Sequence, residues 1–333
     1  MRIIKLALAT GLVPTLGLVA TAAAANAAAQ GRNPASVPPA ALSVPAYITS
    51  GPDGALWFTN VGHGSNPGAI GRITTKGQVT IYTGGGIDAP AGITAADGAL
   101  WFANSAGGSI GRISTSGKVT EYKKAGIAEP FLITTGPGGA LWFTEAYNPG
   151  AVGILGTNGD YSEVSYPGIA IPTGITYGPD GDVWVLNAGT STRKASIARI
   201  PVSGKAEFFT VPSLDAPAGI TVGPDKDLWF TNYGANSIGR MTTSGFVHFF
   251  TGPGIDEPDS IIVGPDGALW FTNYGGNSIG RVTTTGKVTI FKGTGIDGPT
   301  GITAGPDGAL WFANASNNSI GRITTTGHVS NFT

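Results

Sequence analysis

The sequence predicts a seven-bladed all-β propeller, and three observations carry that prediction. The stretch GPDGALWFTN at 264–273 returns in near-copies centred on Trp57, Trp101, Trp142, Trp184, Trp229, Trp270 and Trp311. These are all 7 tryptophans of the 333-residue chain, so one Trp marks one repeat. Successive spacings of 44, 41, 42, 45, 41 and 41 residues sit in the window of roughly 40–45 residues typical of a propeller blade. Each repeat also reads as four short β-rich runs separated by Gly, Pro and Asp.

The chain begins differently. Arg2 and Lys5 precede an apolar run over 6–25, and Ala25-Asn26-Ala27 and Ala27-Ala28-Ala29 are small-x-small cleavage sequences. A secretory signal peptide over residues 1–29 is expected. The rival reading is an uncleaved membrane anchor, which Pro14 and the alanine-rich end disfavour. Residues 30–43 are rich in Pro and Ala and read as an arm outside the repeats, and 44–333 as the propeller. With 19 basic and 20 acidic groups, charge favours neither nucleic acid nor an anionic membrane as partner. A secreted monomer, free of the membrane after cleavage, is the expectation. The 54 glycines and 23 prolines fall at fixed places in the repeat and mark turns, and there is no Cys, so an exported chain must fold on its core alone.

The sixth repeat serves as the type. Ser260–Val263 is its first strand, Gly264-Pro265-Asp266-Gly267 a tight turn, Ala268–Asn273 the second strand, Ser278–Val282 the third and Gly286–Phe291 the fourth. The Trp, the adjacent Phe and the Ile of the SIGR segment are expected to pack between blades. Arg72, Arg112, Arg199, Arg240, Arg281 and Arg322 are expected to pair with turn carboxylates such as Asp53, Asp180, Asp225, Asp266 and Asp307. Blade three loses both partners together, with Ile154 in the Arg slot and Gly138 in the Asp slot. His328–Phe332 already reads as the fourth strand of the last blade. The ring is therefore expected to close by packing alone, or with a strand from Ala41 to Val44 added at the rim.

At the level of GIT-x-GPDG-x-LWFTN…SIGRIT-x-x-G-x-VT-x-F, the chain resembles the streptogramin B lyase (virginiamycin B lyase) family over all seven repeats. The resemblance implies a magnesium-dependent elimination that opens the ester of a cyclic depsipeptide, a carbon–oxygen lyase reaction. It also implies a Glu-Pro-His-Gly-Ile segment in the last blade, with a metal-binding Glu and a catalytic His, and a further Glu past the following WFA. Here that segment is Gly298-Pro299-Thr300-Gly301-Ile302, followed by Phe312-Ala313-Asn314. The residues after the equivalent Pro are Ala46, Ala91, Phe131, Thr173, Ala218, Asp259 and Thr300, and none is His. The three histidines do not substitute: His63 lies in a Gly-rich loop, and His248 and His328 in fourth strands at the rim.

Three groups of residues remain as site candidates. One is a ring after each WFT, Asn60, Asn104, Glu145, Asn187, Asn232, Asn273 and Asn314. It reads either as turn-closing side chains or as an oxygen-rich ring for Ca²⁺ or Mg²⁺. The second is acidic: Asp256-Glu257-Pro258-Asp259 in blade six, and Glu129 with Glu145 in blade three. Glu145 and Asp259 are candidate metal ligands. Asp259 and Glu257 are candidate catalytic carboxylates, with the pKa of Asp259 raised by crowding against Glu257. Solvated loop charge is the competing reading. The third is aromatic: Tyr233 and Tyr274, beside Asn232, Asn273 and Asn314, suit a small molecule, carbohydrate or peptide at the channel mouth. The loops 61–69 and 188–196, the second carrying Arg193-Lys194, are four residues longer than the type and suggest no chemistry. Three functions are expected from these features: a binding or scaffold module without elimination chemistry, a metal-dependent lyase or hydrolase using Glu145, Glu257 and Asp259, or a structural cell-surface protein.

Overall fold

The computed structural model describes residues 42–62, 66–147, 150–202 and 205–333. The expected signal peptide, most of the arm and His63 lie outside the described residues. Strands run from Pro45 to Phe332 in seven sheets of four antiparallel strands, each sheet in chain order. Each second strand is buried along its whole length, as in Leu269–Asn273, while fourth strands such as Val288–Phe291 are half-buried. This is why LWFTN reads as an unbroken run rather than an alternating one: both faces of that strand meet a neighbouring sheet.

Seven hydrophobic clusters hold the ring, and each lies between two blades. Trp270 of blade six packs with Ile302, Leu310 and Phe312 of blade seven, and Trp311 of blade seven with Ile48, Leu56 and Phe58 of blade one. Adjacent side chains point to opposite faces of a strand, so the Trp and Phe of one repeat serve different interfaces. The ring closes by packing, as one of the two expectations held. Residues 42–44 form no strand. The last interface adds hydrogen bonds from Thr300 Oγ1 to the Ala46 carbonyl (2.7 Å), Ser50 Oγ to the Ala304 carbonyl (2.6 Å) and the Val44 amide to Asn318 Oδ1 (2.8 Å).

The expected Arg–Asp pairing is present and includes the tryptophan. Asp266 Oδ1 accepts the Trp270 indole N–H at 2.9 Å and Oδ2 accepts Arg281 Nε at 2.6 Å; Asp53 and Asp307 do the same in blades one and seven. In blades four and five the nearer arginine partner is Asp182 or Asp227 rather than the expected Asp180 or Asp225, which still accept the indole. In blade two Asp97 lies 3.9 Å from Arg112. In blade two the turn is one residue shorter and Asp97 is left-handed (φ 48°) and exposed, while blade three has Gly138 in the Asp slot; in both, the buried indole nitrogens of Trp101 and Trp142 have no partner. Burial pushes the Asp266 carboxyl up, but hydrogen bonds from Trp270 and Arg281 outweigh it and hold the pKa below its ordinary value. Removing the carboxylate in Asp266→Ala leaves a buried donor unsatisfied and is expected to destabilise by about 1–3 kcal/mol, measured by chemical denaturation. Because the folded pKa is depressed, this contribution is present at neutral pH and is lost as pH falls below about 4.

Candidate functional site

The innermost strands line the axis. They are Pro45–Ser50, Pro90–Ala96, Pro130–Thr135, Pro172–Tyr177, Pro217–Val222, Pro258–Val263 and Pro299–Ala304, and each touches the next around the ring. Every one opens with the same irregularity. In blade six Pro258 pairs with Asn273 and Ile261 with Phe271, so three steps on one strand face two on the other. Such a bulge re-aims the side chains it contains, here the two that follow the Pro. The residue before the Pro is left-handed in all seven blades, at φ 44–57° for Val44, Ala89, Glu129, Ile171, Ala216, Glu257 and Gly298. That conformation is strained for all but the last. The sequence reading began the first strand at Ser260 and missed the Pro-led turn, because the bulge breaks the period of two.

The Asn ring serves the fold. Asn232 is fully buried; its Oδ1 accepts the Asp215 amide at 2.7 Å and its Nδ2 donates to the Ser213 carbonyl and Ser237 Oγ. Asn273 and Asn314 hold the same three kinds of partner. These carboxamides fasten the loop that feeds their own blade. Each polar atom of these three carboxamides is bonded within the protein, in keeping with the turn-closing reading of the ring.

Glu145 occupies the same slot in blade three and behaves differently. It is fully buried, its Oε1 accepts the Tyr161 hydroxyl at 3.2 Å, and its carboxylate also takes bonds from the Ala128 amide and the Tyr147 hydroxyl. The hydroxyl is shared with Glu163 at 3.4 Å. Burial, followed by the charge of Glu163, pushes the Glu145 carboxyl up to about 7, against opposing bonds from Tyr161, the Ala128 amide and Tyr147. The serine that answers the ring residue in five blades is Ala151 here, as it is Ala69 in blade one. Tyr161 and Glu163 were not singled out in the sequence; the signal was the accumulation of departures from the repeat in blade three.

Asp259 sits in the bulge of blade six, half-buried. Its carboxyl is pushed up to about 6 by burial alone, not by crowding with Glu257 as expected. Three tyrosines sense its charge: Tyr47, Tyr233 and Tyr274. The Tyr233 hydroxyl donates to Glu257 Oε2 at 3.0 Å. Tyr47, from blade one, also meets Phe131 of blade three edge-to-face at 5.8 Å between ring centroids. Tyr47 of blade one thus meets a side chain of a non-adjacent blade. Tyr274 further lines a cleft of about 230 Å³ between blades six and seven, with Asp297 and Gly298. Sequence reasoning found Tyr233, Tyr274 and Asp259 but missed Tyr47, the second residue of the bulge.

Glu145 and Asp259 therefore belong to separate clusters, one around Tyr161 and Glu163 and the other around Tyr47, Tyr233 and Tyr274. Among the described residues no three His, Cys, Asp or Glu side chains come close enough to hold a metal ion. His248 lies in an outer strand, edge-to-face with Phe250, and His328 just before one.

The profile of the virginiamycin B lyase family matches residues 25–189 and 127–333, which together span the propeller. The chain belongs to the virginiamycin B lyase family. A solved streptogramin B lyase structure is 33% identical, with a TM-score of 0.68 over 73% of this chain and 82% of that one. Selenomethionine-substituted virginiamycin B lyase from Staphylococcus aureus is 32% identical, with a TM-score of 0.75 over 84% and 94%. A catalytically inactive variant of the Staphylococcus aureus enzyme with one histidine replaced by alanine, solved with quinupristin, is 36% identical, with a TM-score of 0.67 over 73% and 83%. No curated protein matches the chain.

The resemblance to streptogramin B lyases implies a magnesium ion and a histidine in the last blade, and the residues there do not fit either. Thr300 stands in the His position and its hydroxyl is committed to the Ala46 carbonyl. Gly298 stands in the Glu position, and the Asn314 carboxamide is committed to its loop.

Proposed function

We propose that this protein is an exported, monomeric binding propeller that holds a small molecule, carbohydrate or peptide at the mouth of its axial channel and lacks the elimination chemistry of streptogramin B lyases. The observation that carries this reading is the absence of His from all seven positions after the lead Pro. Proton abstraction next to an ester carbonyl needs a base near neutrality and a means of stabilising the departing oxygen. The inactive His-to-Ala relative supports the weight placed on that residue. The mouth keeps what binding needs, tyrosines and a carboxylate in a concave site.

The alternative is a lyase or hydrolase, and one observation favours it: the Asp259 carboxyl, pushed up to about 6, is in the range of a general base. Incubation with a streptogramin B depsipeptide and Mg²⁺ separates the two readings. An intact ring is the expected result, and ring opening would replace the binding reading with the enzymatic one.

A further inference from the structure

The loop between the second and third strands of blade four, longer than that of the type repeat, forms one wall of a cleft of about 380 Å³, and the connection 211–215 into blade five forms the other. That size is within the range of small-molecule pockets. Both walls are held in place. The loop closes on itself through reciprocal backbone bonds between Thr190 and Arg193 (2.8 and 3.2 Å), and Thr190 Oγ1 accepts the Thr192 and Arg193 amides. Gly189 permits the turn: it is left-handed at φ 80°, and a Cβ added there would lie 2.5 Å from the Arg193 carbonyl oxygen. The Arg193 guanidinium donates to the Pro167 carbonyl, which orients it while its other N–H donors remain for a ligand. On the far wall Asn232 Oδ1 accepts the Asp215 amide at 2.7 Å, and the Val211 carbonyl accepts the Leu214 amide at 3.0 Å.

The lining carries both signs of charge. Arg193 and Lys194 come from one wall and Asp215 from the other; all three are exposed, and among the described residues none of them forms an ion pair. Val211 and Leu214 add an apolar part to the lining, backed by the core between blades four and five. An Asp recurs at the place of Asp215 in blades two, six and seven, as Asp88, Asp256 and Asp297. The basic pair is what the longer loop adds. We infer that the cleft takes a small zwitterion with an apolar body, of the class of a free amino acid, independently of what the channel mouth holds. The carboxylate of the ligand meets Arg193 and Lys194, its ammonium group meets Asp215, and its side chain lies against Val211 and Leu214. A lone anion faces repulsion from Asp215 and a lone amine from the basic pair, and such repulsion contributes to specificity alongside attraction. Walls fixed before binding lower the ordering cost of capture.

Titration of the full propeller with L-leucine, followed by NMR amide shifts, tests this. Isocaproate is the same molecule without its ammonium group, isoamylamine the same without its carboxylate, and sodium chloride of equal ionic strength is the control. Leucine is expected to bind saturably and to move the amides of Thr190, Lys194 and Leu214. It should bind about fivefold more tightly than either fragment, the upper end for a charge pair at an exposed site. Asp215→Asn is expected to weaken leucine and isoamylamine by about that factor and to spare isocaproate, whereas Lys194→Gln should weaken leucine and isocaproate and spare isoamylamine. Both side chains are exposed, so neither variant is expected to disturb the fold. A crossed pattern of this kind requires the two charges to be read separately. No saturable leucine binding, equal affinity for leucine and either fragment, or a variant that weakens all three ligands alike overturns the inference. Shifts confined to the residues around Asp259 overturn it as well and leave the channel-mouth reading standing.

Discussion

Gly280→Ala is expected to be among the most destabilising single changes in the chain, and Phe271→Val in the same molecule is expected to undo most of the loss. Gly280 faces Phe271 across the second and third strands of blade six, and a Cβ added to it would lie 2.0 Å from the Phe271 ring. Phe271 is fully buried and has nowhere to move. Overpacking of this kind costs about 1–3 kcal/mol and sometimes more, and the distance places Gly280→Ala at the upper end. The chain already contains the compensated version. In blade four the facing pair is Val185 with Ala198, both fully buried. Phe271→Val alone should cost about 2–3 kcal/mol as a large-to-small change. Thermal melting of the two single variants and the double variant checks this: the double variant should melt above both singles. Strictly additive losses would show that the fit of ring to glycine is not what holds this position.

Replacing the buried acid of blade three is expected to stabilise the protein, and only above mildly acidic pH. Glu145 titrates at about 7 in the fold, against an ordinary value of 4.5. A carboxyl whose folded pKa is raised is at its most stable protonated. The fold is therefore unpenalised below pH of about 4.5, and stability is lost progressively as pH rises towards 7. The full difference corresponds to roughly 3 kcal/mol. Glu145→Gln removes the titration, retains an acceptor for Tyr161 and adds a donor like that of the asparagine found in the other six blades. It should raise the melting temperature at pH of about 8 and leave it nearly unchanged at about 4.5. An equal effect at both values would show that Glu145 is not the group whose ionisation strains blade three.

These two cases indicate which parts of the molecule the sequence makes legible. The repeat carries the blade pattern in full, because Trp, Phe and Gly recur at fixed offsets and each offset meets one physical need: a sheet face to cover, a ring to seat, a turn to close. The pairing of Arg281 with Asp266 was legible for the same reason, and so was its loss in blade three. What escaped was anything dependent on which blades face each other across the axis. Tyr47 and Phe131 are 84 residues apart and belong to non-adjacent blades, so no local period links them. The bulge that aims both into the channel erases the alternation from which an inward-facing side chain is read. The Asn ring was found, with turn closure and ligand binding both open as its role. Its position after WFT was plain in the sequence, while its partners lie 17 to 19 residues upstream and showed no pattern of their own.

The central claim is that a fold shared with the streptogramin B lyases here binds without eliminating. The most direct test is chromatography with mass detection of a streptogramin B depsipeptide after prolonged incubation with the protein and Mg²⁺, alongside virginiamycin B lyase as the positive control. Recovery of the cyclic compound alone is the predicted result. A linear isomer of unchanged mass, the product of elimination, would contradict it, and a product heavier by one water would reveal a hydrolase.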